Sequence, residues 1–312
     1  MIWTIPASFL LDLLLGDPHG WPHPVIGIGR FIKRVETVLA SLIDHRRLAG
    51  CLLALMTVLV TGLVTWAVIR LAGLLHPLIG LAVTVWLGYT TLALRSLHLE
   101  SRQVVRYLEQ GRISEARRAL SLIVGRETNQ LDEEQILRAC IETVAENTSD
   151  GVIGPLFYLF LGGPVAAMMY KAASTLDSMV GYTDDRYREM GWASARLDDL
   201  LNLVPARLTG LLMVLASFPL GLNPWAALTT MLCDARKTSS PNAGFPESAV
   251  AGALGVRLGG PATYFGETVQ KPTLGDADRR IDIGCYRATI RLMYLTALLG
   301  LILGMVVVWP LY

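Results

Sequence analysis

Charge is what this 312-residue chain has little of. Asp, Glu, Lys and Arg make up 17% of it, where a soluble domain carries about 25%. The shortfall is concentrated rather than spread. Residues 50–69, 78–94 and 292–312 are almost free of charge, close to the roughly 20 residues a helix needs to cross hydrocarbon. Neither sign of charge dominates. A formal net charge of +1 supplies no field that would gather nucleic acid, and no nucleic-acid motif appears. The four cysteines, Cys51, Cys140, Cys233 and Cys285, show no CxxC spacing and read as packing residues in a reducing setting. There is no GxxxxGK[ST], no HExxH and no serine–histidine nucleophile arrangement, so any nucleotide is held by something other than a P-loop.

What is present is an integral membrane pattern. Residues 152–170 and 208–232 are further apolar stretches, interrupted by Gly162-Gly163-Pro164 and by the run from Pro219 to Pro224. Such breaks predict broken or re-entrant segments, tolerated where protein or a cavity satisfies the freed backbone groups. Residues 2–15 are apolar but short and contain Asp12, which places them in the interface or inside a bundle. The fold class expected is an all-α integral membrane protein of about 4–5 transmembrane or re-entrant segments. One membrane domain covers 1–312, with a cytoplasmic helical insertion over 95–150 and a cytoplasmic loop and helix region over 234–291. Basic residues flank both ends of the first hairpin of spans, Lys33, Arg34, Arg46 and Arg47 before it and seven arginines from Arg95 to Arg126 after it. The positive-inside rule makes that side the cytoplasm. Within the insertion, Gly111 ends one helix and Asp132-Glu133-Glu134 starts another. No internal repeat is seen, and no segment reads as a β-sheet domain.

Polar motifs sit hard against the apolar spans. Read as a helix, 138–146 puts Arg138, Glu142 and Glu146 on one face at i, i+4, i+8, followed by Asn147 and Asp150. Like charges one turn apart cost a helix roughly 0.2–0.5 kcal/mol. Arg138 one turn back offsets part of this, and a bound Mg²⁺ would offset more. A solvated carboxylate face with an internal Arg–Glu pair accounts for the same pattern. Asp17, His19 and His23 stand in a turn-rich loop, where the histidines read as structural for want of a third metal ligand. Lys171, Ser174, Thr175 and Ser178 share a helical stripe with Asp177 adjacent, ahead of Tyr182, Asp184, Asp185 and Arg186. A lysine beside hydroxyls suits phosphate oxygens, and an aspartate there suits a metal or an ammonium; a snorkelling lysine with a capping aspartate is the plainer reading. Asp198 and Asp199 open the next helix, with Asn202 and Arg207 as expected partners. Ser240, Asn242 and Glu247 lie in a loop of small residues that leads into a helix, where amides and hydroxyls suit an anion. The glycine pattern from Gly255 to Pro261 is weak.

Taken together these segments resemble the adenosylcobinamide-phosphate synthase family of cobalamin biosynthesis. The resemblance rests on Gly16, Asp17 and Pro18 with Pro22, His23 and Pro24, on 124–128 with Arg126, and on 142–151. It continues through Tyr170, Lys171 and 175–182, Asp198 to Arg207, 240–247, 252–261, and Lys271 with Gly275 and Asp276. They stand in family order over nearly the whole chain. The resemblance implies a multi-pass enzyme of the bacterial inner membrane with its active site facing the cytoplasm. It joins adenosylcobyric acid, a corrinoid, to (R)-1-amino-2-propanol O-2-phosphate or ethanolamine phosphate in an amide bond, using ATP and Mg²⁺. On that reading Glu142, Glu146 and Asp150 hold Mg²⁺. Glu146, Asp150, Asp177 and Lys171 are catalytic. Arg126, Asn147, Ser174, Ser240, Asn242, Glu247 and Asp17 contact or orient the nucleotide and phosphates. A cytoplasmic site implies that 171–207 faces the cytoplasm, which favours re-entrant over fully crossing broken segments; cysteine labelling at positions 175 and 185 reads this out. The bilayer is a partner, nucleic acid is not, and a homo-oligomer or a complex with later enzymes of the pathway stays open. Two other classes fit parts of the pattern. A transporter explains Asp12 and the broken spans but calls for inverted repeats. A sensory or regulatory membrane protein explains the basic surface but leaves the carboxylate clusters idle.

Overall fold

The computed structural model describes residues 2–18, 20–181, 187–264 and 266–311. Among these residues twelve α-helices dominate. The first four are α1 (Thr4–Leu15), α2 (Pro24–Leu42), α3 (Arg46–Leu75) and α4 (Pro77–Tyr89). Then come α5 (Leu94–Glu109), α6 (Ile113–Leu120), α7 (Glu133–Thr148) and α8 (Gly154–Val180). The series closes with α9 (Trp192–Ser217), α10 (Pro224–Asp234), α11 (Gly244–Leu254) and α12 (Ile283–Val308). Among the described residues five helical runs are long and apolar enough to cross a membrane: Arg46–Leu75, Pro77–Glu109, Glu133–Val180, Trp192–Ser217 and Ile283–Val308. Only 28% of the most apolar window of α3 is buried. Its Leu55, Leu59, Leu63, Trp66 and Leu74 point outward, more exposed apolar surface than a water-soluble domain sustains. The chain is an all-α membrane protein.

Two compact units divide it. The first comprises Met1–Ala93, Gly154–Asn202 and Leu303–Tyr312; the second comprises Leu94–Ile153 and Leu203–Ile302. In the first unit α3 packs on α4 and α8, and α1 on α4. Ile28, Ile32, Leu53, Leu176 and Val180 form its apolar core. Asp12 is fully buried on α1, so that short helix belongs inside the bundle. The expected break in the fourth apolar segment is present. Gly162 and Gly163 leave helical geometry inside α8, with φ of 65° at Gly163, and Pro164 follows. The fifth apolar stretch is placed differently from expectation. The span is α9, which starts at Trp192, and the Pro219–Pro224 break separates it from α10. Charged residues in the first turns of α9 disguised its start. Asn202 donates to Asp198 at 3.0 Å, as expected, and to this is added Arg196 against Asp199 at 3.0 Å.

The second unit holds both polar regions. Gly111, with φ of 68°, follows α5. Asp132 caps α7 in a reciprocal capping box with Gln135, the arrangement that satisfies two orphan amides at once. A five-residue π-helical turn, Ser149–Ile153, ends α7. Sequence reading missed one element, an antiparallel hairpin of β1 (Leu258–Tyr264) and β2 (Glu267–Leu274), with an irregular register between Gly259 and Pro261. Two adjacent glycines and two prolines made it read as loop.

Candidate active site

The second unit gathers a charged cluster around the N–H of Gly259. The side chain of Glu142, buried on α7, accepts that N–H through Oε1 at 2.6 Å and the guanidinium of Arg126 through Oε2. Arg126 comes from the loop before α7, and the hairpin edge holds that loop. Glu127 N–H donates to the Thr263 carbonyl at 2.9 Å, and Gly266 N–H donates to Glu127 Oε1 at 2.6 Å. Buried Thr128 anchors the far side, its hydroxyl donating to the Arg117 carbonyl at 2.9 Å. Helical spacing pointed to Arg138 as the partner of Glu142. Instead Arg138 pairs with Glu134 at 3.0 Å, one turn towards the N-terminus, and Glu142 takes its cation from outside the helix.

Glu247, in the first turn of α11, faces the same group. Burial pushes its carboxyl well above the ordinary glutamate range, and the Glu146 and Glu142 carboxylates push it further; Lys271 and Arg126 pull the other way. Lys271, on β2, lies with its ammonium 5.2 Å from the centre of the Tyr264 ring. Burial disfavours its charge, but a hydrogen bond to Tyr264 and the charges of Tyr264 and Glu247 outweigh that and hold its pKa above the usual lysine value. Two further carboxylates and two cations thus act on Glu247. Among the described residues no three His, Cys, Asp or Glu side chains gather closely enough to hold a metal ion on their own. Mg²⁺ ordinarily takes one or two carboxylates and completes its shell with phosphate oxygens and water, so a pair of these carboxylates has the chemistry to take that ion only with ligands from outside the protein.

The other expected residues fall elsewhere in the second unit or in the first. Asn147 donates to the Thr143 carbonyl at 3.0 Å, and Asp150 lies in the π-helical turn, a distortion frequent at functional sites. Ser240 caps the turn before α11, its hydroxyl accepting the N–H groups of Asn242 and Ala243 at 3.2 Å each. Buried Asn242 accepts from Arg207 at 3.3 Å, and the Arg207 guanidinium lies 4.3 Å over the Phe245 ring. That is a different partner from the expected Asp198. Nine residues advance a helix by two and a half turns, so Arg207 and Asp198 sit on opposite faces.

In the first unit, Asp17 and Lys171 line one cavity of about 360 Å³ together with Trp21, Trp86 and Tyr89. His23 lies 3.3 Å from Asp17, and its Nδ1 accepts the Val25 N–H at 3.3 Å as the cap of α2, the structural role expected of it. Ser174 and Asp177 follow Lys171 along α8. The hydroxyls of Thr175 and Ser178 are used on the carbonyls of Lys171 and Ser174, at 2.7 and 2.9 Å. Asp177 and Asp199 are near enough for their charges to interact. His19 and residues 182–186, with Tyr182, Asp184, Asp185 and Arg186, lie outside the described residues.

Sequence reading missed Gly259 and Lys271 as members of the cluster, because their strands were not seen. Gly259 has φ of 78°, and a side chain there would run into the Pro272 carbonyl oxygen. Gly259→Ala should therefore shift the hairpin and draw the N–H away from Glu142. The expected cost is about 1–3 kcal/mol, read as a lowered midpoint of thermal unfolding in detergent.

Comparison with known proteins fixes the family. The family model described as CobD/Cbib protein matches residues 5–293. The chain belongs to the CobD/Cbib family. Among CobD/Cbib relatives, the cobalamin biosynthesis protein CobD of Geobacter metallireducens is 53% identical over 291 residues, covering 93% of this chain and 92% of that protein. CobD of Pelobacter propionicus is 54% identical over 295 residues, 95% and 91% of the two chains. The cobalamin biosynthesis protein CbiB of Salmonella typhi is 47% identical over 306 residues, 97% and 95%. No solved structure matches the chain. CobD/Cbib membership gives this membrane protein a role as an enzyme of cobalamin biosynthesis.

Proposed function

We propose that this protein is the synthase that forms the amide bond between adenosylcobyric acid and (R)-1-amino-2-propanol O-2-phosphate, or ethanolamine phosphate, at the expense of ATP. The observation that carries the reading is the cluster of Glu142, Glu146 and Glu247 with Arg126 and Lys271, every member of which falls in a segment of the family resemblance. A carboxylate and an ammonium do not condense in water, so the acid must be activated. In the reaction proposed, a carboxylate oxygen of the corrinoid acid attacks the terminal phosphorus of ATP and releases ADP. The free amine then adds to the acyl carbon, loses a proton to a base, and phosphate departs with the electron pair of the C–O bond.

The residues fit these tasks. Arg126 and Lys271 offer positive charge to phosphates. Glu146 and Asp150 would hold Mg²⁺ together with phosphate oxygens, beside Glu142, whose oxygens meet Arg126 and Gly259. The ion would neutralise charge on the transferring phosphoryl group. In the first unit, the cavity lined by Asp17 and Lys171 offers a carboxylate and an ammonium, a match to an amine that carries its own phosphate. Its volume lies in the range of small-molecule sites, roughly 300–1,000 Å³. Asp177, six residues along α8 from Lys171, is assigned the proton of the amine. The bacterial inner membrane, with the site facing the cytoplasm where ATP and corrinoid are found, completes the reading, and the arginine-rich flanks support that orientation.

The deciding experiment incubates detergent-purified protein with adenosylcobyric acid, aminopropanol phosphate, ATP and Mg²⁺ and follows the amide product by mass spectrometry. Product that disappears when ATP or Mg²⁺ is withheld is the expected result. Folded protein that makes no product with either amine overturns the reading.

A further inference from the structure

A second charged region of the molecule has no part in the reaction above. In the second unit, α5 and the first three turns of α12 line an open groove of about 620 Å³, with its arginines exposed. Arg102 and Arg106 stand one turn apart on α5, Arg287 and Arg291 one turn apart on α12, and all four line it. Like charges at that spacing repel, and here two such pairs face one space. Among the described residues the only acid on its wall is Glu109, which pairs with Arg287 at 2.7 Å. Among the described residues, Arg102, Arg106 and Arg291 make no ion pair. The floor is built rather than loose. His98 Nδ1 and the Tyr294 hydroxyl lie 2.9 Å apart, and the Ser101 and Tyr286 hydroxyls 3.0 Å apart, tying α5 to α12. Val105 and Ile290 add apolar wall. None of the lining residues belongs to the segments that carry the family resemblance.

Four guanidiniums converging on one concave space, with one acid among them, are short of negative charge. Planar forks of donors at this density suit phosphate oxygens. Both helices also belong to runs long and apolar enough to cross a membrane, Pro77–Glu109 and Ile283–Val308, and basic pockets between such helices suit anionic headgroups. We infer that this groove binds a phosphate-bearing anion, supplied by the headgroup of an anionic phospholipid or by a free phosphate compound, at a site separate from the catalytic cluster.

Native mass spectrometry of the full-length protein tests this without reference to its catalytic activity, so failure here leaves the synthase reading standing and the reverse holds as well. The probes are cardiolipin, phosphatidylcholine as the neutral control, ATP and inorganic phosphate. Arg106→Gln with Arg291→Gln removes one charge from each helix, and Arg106→Lys with Arg291→Lys retains the charge as a control for folding. The expected result is an anion adduct that the Gln pair weakens roughly 30-fold, from about fivefold per basic residue at a charged lipid surface, and that the Lys pair largely keeps. Cardiolipin retention that the Gln pair weakens, with ATP and phosphate adducts unchanged by it, identifies a lipid site; ATP or phosphate adducts sensitive to the same variants identify a soluble ligand. If no probe binds better than phosphatidylcholine, or if a folded Gln pair binds as the parent does, the inference is overturned.

Discussion

Glu142→Ala is expected to lower the unfolding midpoint in detergent by roughly 6–15 °C, the equivalent of about 3–5 kcal/mol. The side chains of Glu142 and Arg126 are 10% and 12% exposed, so neither charge is well hydrated. Removing the carboxylate leaves the guanidinium without its partner and deprives the Gly259 N–H of its acceptor in the same stroke, and an abandoned buried donor carries its full desolvation cost. Arg126→Ala should cost a similar amount, because it strands the carboxylate. The double variant should cost less than the sum of the two, since no unpaired charge remains. Thermal unfolding followed by tryptophan fluorescence distinguishes these cases. Purely additive losses would show that the two side chains do not depend on one another.

The second large effect should run in opposite directions on stability and activity. Glu247 has its pKa raised by burial first and then by Glu146 and Glu142. A carboxyl whose folded-state pKa is raised binds its proton more tightly in the folded protein than in the unfolded chain. Its contribution is favourable below the unfolded glutamate pKa of roughly 4.3 and is lost as pH rises through the higher folded value. At neutral pH, where the unfolded chain holds this glutamate ionised, keeping it in its buried site beside two carboxylates is therefore a burden that the fold carries. Glu247→Gln should remove that burden and raise stability at neutral pH by about 0.5–2 kcal/mol, while activity falls. The gain should shrink as pH is lowered towards the unfolded glutamate pKa of roughly 4.3, below which folded and unfolded chains both carry the proton. A fall of roughly 10–100-fold in activity is expected if Glu247 supports the ion and phosphates next to it, and stabilisation of the folded protein by added Mg²⁺ should weaken in parallel. A variant that loses stability at neutral pH, or keeps full activity, would show that this carboxylate is simply a dipole partner at the start of α11.

The membrane character of the chain was legible because it rests on long uninterrupted signals. The apolar runs of α3 and α12 and the Gly162-Gly163 break need no knowledge of partners. The start of α9 was not legible, because Arg196, Asp198, Asp199 and Asn202 look like a polar loop until their mutual pairing inside the helix is seen. The helix carrying Glu142 and Glu146 was placed correctly from its cap and spacing. Its partners were not, since spacing along one helix names only neighbours one turn away. Arg126 reaches Glu142 across a loop, and Gly259 and Lys271 arrive on a hairpin whose strands lack the alternating pattern that announces a sheet.

The hydrogen bond from Gly259 to Glu142 joins residues 117 positions apart. At about 5–20 residues per second, a ribosome needs roughly 6–23 s to make that length of chain. Residues 46–75 and 77–109 will have emerged well before the last donor to Glu142 exists. The enzyme's charged centre is therefore completed late in biosynthesis, and a nascent chain truncated before β1 would carry an Arg126–Glu142 pair still waiting for its amide.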